Sequence, residues 1–170
     1  MATIHPISST VDAWVNQPLL LFHGTSLTDA ESIMSAVDLT RSRGIGDFGK
    51  GFYATTDRRQ AQEFAEIVTE RRRLASPTVV SIKVDRNQLS NLRALAFVRG
   101  SQEASDFWGF VNCCRGKGFH IPLGNRYYDV VYGPVAKNWV KRLAHDGYDQ
   151  VSFHTKEAQD LLNASPRGML

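Results

Sequence analysis

Two short stretches of the chain hold residue types that could bind a small ligand through both backbone and side chain. The first reads FHGT, from Phe22 to Thr25, and places a histidine beside a glycine. A glycine at a strand end leaves its N–H and C=O open, and a carboxamide, with one donor side and one acceptor side, fits such a pair. The second reads FGKGFYATTD, from Phe48 to Asp57, where Gly49 and Gly51 precede Tyr53.

The glycines of the second stretch do not match the usual nucleotide-binding loops. Gly44, Gly46, Gly49 and Gly51 lead into a strand, whereas the Rossmann fingerprint leads from a strand into a helix. A Walker loop needs Ser or Thr after its lysine, but Gly51 follows Lys50. Taken alone, the glycines predict a flexible surface loop, so any binding function depends on their combination with FHGT.

The elements that must position these stretches are a mixture of strands and helices. Strands are expected at 19–22, 51–55, 78–84, 92–98, 128–134 and 149–154, and helices behind capping signals at Thr28 and Asp57 and at 104–111, 136–143 and 158–162. They do not alternate as in a doubly wound fold, which indicates an α+β class. Residues 1–17 are expected to be a loosely structured lead-in, and residues 18–170 a single domain.

Composition narrows the classes of protein to consider. The net charge of +3 permits a phosphate-bearing ligand or a nucleic acid and demands neither. No apolar run approaches the ~18 residues of a membrane span, and the N-terminus lacks the pattern of a secretory signal. Adjacent Cys113 and Cys114 are expected to be reduced thiols, and no Cys/His spacing indicates zinc. The expectation is a cytoplasmic protein with neither a metal nor a membrane partner.

FHGT followed by DFGKGFYATTDRRQAQEFA resembles the ADP-ribosyltransferase superfamily, in the branch shared by diphtheria toxin and the poly(ADP-ribose) polymerases. In that branch a histidine strand precedes a Gly-x-Gly-x-Tyr strand. The stretches YDVVYGPVA and DQVSFHT are similar to small bacterial ADP-ribosyltransferase-like proteins, some of them toxin-like. The resemblance covers roughly residues 18–162. It implies a split α+β fold of two packed, mainly antiparallel sheets with flanking helices around an NAD cleft.

The resemblance also implies roles for individual residues. His23 would hold the adenosine ribose, and Gly24 would bind the nicotinamide carboxamide through its backbone. Tyr53 would line the nicotinamide face, and Phe64 takes the place of a second aromatic that stacks on the ring. The remaining candidates for NAD binding are Thr25, Gly51, Thr55 and, for the pyrophosphate, Arg41 and Arg43.

The third position of the expected catalytic triad departs from the family pattern. The family usually has a glutamate at the start of a late strand, which binds the 2′-hydroxyl of the nicotinamide ribose. YDQVSFHT places Gln150 there, so the triad reads His23, Tyr53 and Gln150. Glutamine can hydrogen-bond a hydroxyl but carries no charge, and Gln150→Glu is therefore expected to keep or raise nicotinamide release. Strand alternation predicts that Asp149, the nearest carboxylate, faces the opposite side.

The expected function is that of an NAD-dependent mono-ADP-ribosyltransferase, a toxin or effector that acts in the cytoplasm or in a target-cell cytosol. NAD is the co-substrate, the acceptor is a protein or a nucleic acid, and a cognate inhibitor or antitoxin is a candidate partner. Three alternatives stay open. They are an NAD glycohydrolase, a catalytically inactive NAD- or ADP-ribose-binding module that the glutamine favours, and a nucleic-acid binder that depends on Arg58–Arg59 and Arg71–Arg73.

Overall fold

The computed structural model describes residues 17–42, 44–73, 76–98, 104–119 and 128–170, and the structural statements below concern these residues. The predicted lead-in, apart from Gln17, and the predicted ligand residue Arg43 lie outside them. The strands are β1 Leu19–Ser26, β2 Phe52–Ala54, β3 Pro77–Val84, β4 Ala94–Ala96, β5 Val130–Asn138, β6 Leu143–Phe153 and β7 Arg167–Met169. The helices are α1 Leu27–Ser35, α2 Arg58–Arg72, α3 Arg86–Leu89, α4 Ala104–Lys117 and α5 Lys156–Ala164, with a 3-10 helix at Leu39–Arg41.

The strands form two mainly antiparallel sheets. The first has the order β1-β3-β7 and the second the order β2-β6-β5-β4. Within the described residues β4 and β5 run parallel, and every other pair of strands is antiparallel. The α+β class predicted from the sequence is confirmed.

The two sheets meet at one point along the edges of β1 and β2. The N–H of Phe22 donates to the C=O of Thr55 at 2.8 Å, and the N–H of Thr55 donates to the C=O of Phe22 at 2.9 Å. This is an isolated bridge, because the described parts of β1 and β2 form no further ladder. Beyond it the two strands separate, and a cleft opens between the sheets.

Two apolar clusters hold the layers together. The larger cluster packs residues of both sheets, such as Leu21 and Phe153, against Leu162 of α5. The smaller is aromatic and surrounds the fully buried Phe48, which contacts Phe97 and Phe107 at ring-centroid distances of 6.2 Å each. Phe48 belongs to the glycine-rich stretch, so that stretch is anchored in the core.

The structure shows that the helix predicted at 136–143 and the strand end predicted at Gly133–Pro134 are both wrong. Strand β5 continues to Asn138, a turn follows, and β6 begins at Leu143. Proline is tolerated because the pairing of β5 with β6 is irregular directly after Pro134. The side chain of Asn138 accepts a hydrogen bond from the Lys141 N–H at 2.9 Å, which stabilises the turn.

The caps and the last strand add smaller corrections. Helix α1 begins behind Ser26, whose hydroxyl accepts from the Asp29 N–H, and not at the predicted Thr28 cap. The Asp57 cap is confirmed, because its carboxylate accepts from the Arg59 N–H at 2.7 Å. Strand β7 was not predicted. None of the described helices is long and apolar enough to cross a membrane.

Candidate functional site

A cavity of about 500 Å³ lies where β1 and β2 separate. Its volume falls in the range of about 300–1,000 Å³ that is usual for small-molecule sites. Its walls come from both strands, α1, α2, the 3-10 helix and residues 44–51, which we call the glycine loop. Of the residues predicted from the sequence, it is lined by His23, Gly24, Thr25, Arg41, Gly51, Tyr53, Thr55, Phe64 and Gln150.

The backbone of Gly24 faces the gap between the sheets. In an antiparallel ladder the N–H and C=O of alternate residues point to the same edge of the strand. The groups of Phe22 point toward β2, where they bond Thr55, so those of Gly24, two residues on, point the same way. Because the bridge ends at Phe22, they meet no strand there. A ligand in the cleft finds one donor and one acceptor on this wall.

The other face of Gly24 is filled by helix α2. A Cβ added to Gly24 would lie 1.9 Å from the carbonyl oxygen of Ala61. The absence of a side chain therefore lets α2 pack directly on β1. Gly24 therefore allows the close packing of α2 and also leaves its own N–H and C=O facing the cleft.

His23 reaches from β1 across to β2. Its Nδ1 donates to the Tyr53 carbonyl at 2.5 Å, because a carbonyl can only accept, and its ring stacks on Phe52 with centroids 4.6 Å apart. Burial lowers the pKa of His23 below its usual value. The ring is therefore neutral at pH 7, and its Nε2, for which the described residues offer no hydrogen-bond partner, is an acceptor in the cleft wall.

The glycine loop holds the side chain of Tyr53. The Tyr53 hydroxyl accepts from the Phe48 N–H at 2.9 Å and donates to the Gly49 carbonyl at 2.7 Å. A Cβ on Gly46 would lie 2.3 Å from the Tyr53 ring, so only glycine permits this approach. Burial raises the pKa of Tyr53 far above its usual range, so the phenol stays protonated. The glycines thus fix an aromatic side chain in the cleft wall.

Phe64 lies at the rim of the cavity, with 54% of its surface exposed. Its neighbours on α2, Ala61 and Ala65, are buried against β1. The phenylalanine is therefore not a core residue, and its ring is open to a ligand.

Gln150 is buried in β6, with both amide hydrogens committed to protein acceptors. Its Nε2 donates to Asp47 Oδ2 at 2.7 Å and to the Pro134 carbonyl at 2.8 Å. Gln150 lines the cavity, and the described residues give its amide oxygen Oε1 no hydrogen-bond donor. The predicted alternation is confirmed, because Asp149 points instead to the Thr55 hydroxyl at 2.5 Å and the Thr56 N–H at 2.9 Å.

Asp47 is a cavity residue that was not predicted from the sequence. Its side chain is 3% exposed and accepts from Arg115 Nε at 2.9 Å and from the Ala136 N–H at 2.7 Å, in addition to Gln150. The sequence feature that could have identified Asp47 is a carboxylate between the two glycines of the GDFG stretch. Its partner Arg115 lies on α4, 68 positions away in the sequence, and no sequence pattern indicated that the two residues pair.

Two of the predicted ligand residues also have structural roles. The Thr55 hydroxyl is bonded to Asp149, and a Cβ on Gly51 would lie 2.6 Å from the Phe153 carbonyl. Thr25 is buried and lines the cavity. Their contribution to a ligand would come from their position in the wall.

Two of the three described arginines in the cavity wall form ion pairs. Arg72 pairs with Asp29 at 3.2 Å, and Arg115 pairs with Asp47. Arg41 forms no ion pair with a described residue, and its guanidinium donates to the Ser32 hydroxyl. Asp38 also lines the cavity, and hydrogen bonds from Thr40 together with the charge of Arg41 lower its pKa. Within the described part of the chain, no cluster of three or more His, Cys, Asp or Glu could hold a metal ion.

The fold and the cavity define an α+β protein with a ligand-sized cleft between two sheets. The chain belongs to the family described as a protein of unknown function, DUF3990, whose model matches residues 19–164. That span contains every cavity residue named above. No curated protein matches the chain.

Proposed function

We propose that this protein is an NAD-dependent mono-ADP-ribosyltransferase with the split fold of that superfamily. One observation carries the proposal. The separation of β1 from β2 brings His23, Gly24, Tyr53, Phe64 and Gln150, which the sequence spreads over 128 positions, into one cavity. The mainly antiparallel two-sheet architecture is compatible with such a fold.

The nicotinamide end of NAD fits the wall made by Gly24, Tyr53 and Phe64. The Gly24 N–H and C=O face the gap and match the acceptor and donor sides of a carboxamide. The cationic nicotinamide ring is attracted to aromatic faces, and each such contact contributes on the order of 1 kcal/mol. Tyr53 is fixed by the glycine loop, whereas Phe64 at the rim can adjust to the ring.

The remaining parts of NAD have candidate partners in the same cavity. The acceptor Nε2 of His23 suits a ribose hydroxyl, and so does the Oε1 of Gln150. Arg41, which forms no close ion pair with a described residue, suits the pyrophosphate. The same cavity therefore offers aromatic, hydroxyl-binding and cationic groups.

The reaction requires little of the protein beyond positioning. The bond between nicotinamide and C1′ of the ribose breaks, nicotinamide leaves with the electron pair, and the acceptor nucleophile bonds to C1′ and releases a proton. His23, Tyr53 and Gln150 would hold NAD in a reactive conformation, with fixed dipoles around the ribose as positive charge develops. The acceptor, a protein or nucleic acid, and the role of toxin or effector in a cytosol are proposed from the sequence resemblance.

The contacts of Gln150 favour a second candidate function. Its amide hydrogens are held by Asp47 and Pro134, and it contributes no negative charge to a cationic ribose. A catalytically inactive NAD- or ADP-ribose-binding module would use the same cavity. An NAD glycohydrolase would use it with water as acceptor.

Nicotinamide release separates these functions. The purified protein is incubated with NAD, with and without cell lysate, and nicotinamide is quantified while mass spectrometry follows ADP-ribose. We expect release that depends on lysate, with ADP-ribose attached to a macromolecule. Release without lysate, with free ADP-ribose as product, would indicate a glycohydrolase. NAD binding without release would indicate the inactive module, and the absence of NAD binding would refute all three.

A further inference from the structure

We infer that Asp47 is a positioning residue of the cleft: it fixes the amide of Gln150 so that the oxygen Oε1 is presented to the ligand. The inference rests on the proposed function, because the ligand group concerned is a ribose hydroxyl of NAD. It assigns to the glycine loop a second task besides holding Tyr53.

The contacts of Gln150 leave one orientation for its amide. The two acceptors around it, Asp47 Oδ2 at 2.7 Å and the Pro134 carbonyl at 2.8 Å, both require the NH₂ side. If the amide turned over, Oε1 would face two acceptors, and buried oxygen atoms without a donor between them are strongly unfavourable. Because the carbonyl of Pro134 belongs to the backbone, Asp47 is the side chain on which this orientation depends.

Asp47 is itself held rigidly. Arg115 donates to its Oδ1, and the Ala136 N–H donates to its Oδ2 at 2.7 Å. The guanidinium of Arg115 lies 5.9 Å from the centre of the Trp139 ring. A carboxylate fixed by two partners can in turn fix a third, and it does so from a backbone turn anchored in the core by Phe48.

The charge of Asp47 is balanced by Arg115, so the carboxylate contributes orientation to the site and no net charge. The same contacts revise the expectation for Gln150→Glu. A glutamate there would place a second carboxyl group against Asp47 Oδ2 and the Pro134 carbonyl, and even when protonated it supplies one hydrogen for two acceptors where the amide supplies two. We expect that variant to lose nicotinamide release, not to keep or raise it.

Four variants test the inference, with nicotinamide release from NAD as the readout. Asp47→Asn and Gln150→Glu are each expected to lower kcat by about tenfold to a hundredfold with a smaller change in KM, because misplacing one orienting group has that effect. The double variant is expected to lose no more than the worse of the two single variants, because Asp47 acts only through the side chain at position 150. Asp129→Asn is the matched control, because Asp129 is also buried and bonded to Arg93, Thr155 and backbone but lies outside the cavity.

The outcomes are distinguishable from failure of the proposed function. Full kcat in folded Asp47→Asn, or a double variant whose loss equals the product of the two single losses, would overturn the inference alone. Equal loss of kcat in Asp129→Asn would overturn it too, since the effect would then be general destabilisation. Wild-type protein that neither binds NAD nor releases nicotinamide would overturn the proposed function and the inference with it.

Discussion

The hydroxyl of Tyr53 bonds the glycine loop, whereas its ring lines the cleft, and mutations can test the two roles separately. Tyr53→Phe leaves the Phe48 N–H without a partner and removes one of the two hydrogen bonds to the Gly49 carbonyl, and it is expected to cost about 1–3 kcal/mol in the free energy of unfolding. The ring stays, so the affinity for NAD should change little. Tyr53→Ala removes both and should weaken NAD by a further 1 kcal/mol or so. Urea unfolding and calorimetry with NAD measure the two effects, and equal NAD affinities for both variants would remove the ring from the site.

Phe64 offers a test of the rim that leaves the core intact. Phe64→Ala is expected to reduce NAD affinity by about 1 kcal/mol through the lost stacking face, with little change in stability. Ile67→Ala is the matched control, because Ile67 is 41% exposed on the same helix and lies outside the cavity. Calorimetry should show the wild-type NAD affinity for Ile67→Ala and a weaker affinity for Phe64→Ala. The same affinity in both variants would contradict the ligand role of Phe64.

The lowered pKa of His23 makes a prediction for stability against pH. Burial disfavours the imidazolium, so the unfolded chain binds a proton more readily than the folded one. The stability that depends on neutral His23 is fully present above the pKa of the unfolded state, about 6.5. It is lost as the pH falls through that value and below it. His23→Asn keeps a donor for the Tyr53 carbonyl but does not titrate. Its loss of stability between about pH 7.5 and 5.5 should be smaller than that of the wild type in urea unfolding, and identical losses would argue against burial of the ring.

At the scale of the elements, the packing of α2 on β1 depends on Gly24. A Cβ at this position would lie within 1.9 Å of a helix carbonyl, so Gly24→Ala must move α2 and should cost about 1–3 kcal/mol or more. Gly109→Ala in α4 meets nothing within 4 Å and should instead stabilise by about 0.5–1 kcal/mol. Chemical denaturation of both variants compares them. A Gly24→Ala protein of unchanged stability would show that the helix does not sit on this strand.

This packing limits what a substitution at position 24 can show about ligand binding. A larger residue there would displace the helix before it reached a ligand, so loss of NAD binding in Gly24→Val would not by itself identify the carboxamide site. Tyr53 and Phe64 are better probes, because each can be changed without a clash with backbone.

Most elements were predictable because local signals agreed with the tertiary structure. Asp57 caps α2, and the alternating apolar residues of β3 are buried as expected. The helix predicted at 136–143 failed because the spacing of Ala136, Trp139, Val140 and Leu143 imitates a helical face by coincidence. In the structure Val140 is 73% exposed at a turn, and the strand pairing of β5 with β6 outweighs the local pattern. Strand β7 was missed because its three residues gain stability only from pairing with β3.

At the scale of the whole molecule, nine of the residues that line the cleft were predicted from the sequence, and their mutual contacts were not. The order and spacing of motifs pointed to His23, Tyr53 and Gln150, which the fold brings to one cavity. Asp47 and Arg115 are 68 positions apart in the sequence and form their contact only because α4 packs beside the glycine loop. Such long-range polar pairs carry no periodicity that a single sequence can show.

Binding of NAD to the intact protein should appear as a rise in thermal stability. A ligand at about 100 times its Kd adds about 2.7 kcal/mol to the free energy of unfolding, which raises Tm by several degrees in a chain of this size. ADP-ribose and nicotinamide, tested separately, should each give a smaller shift, because each fills part of the cavity. No shift with millimolar NAD would contradict binding at physiological concentrations.

The commitment of both Gln150 amide hydrogens also restricts how this site can change over evolutionary time. A glutamate at position 150 is unfavourable while Asp47 is present, because the two carboxyl groups would share one proton at most where the amide supplies two hydrogens. A lineage moving between glutamine and glutamate is therefore expected to substitute position 47 first, or both together. The two positions are expected to covary among related sequences, and the accessible order of substitutions is set by two hydrogen bonds.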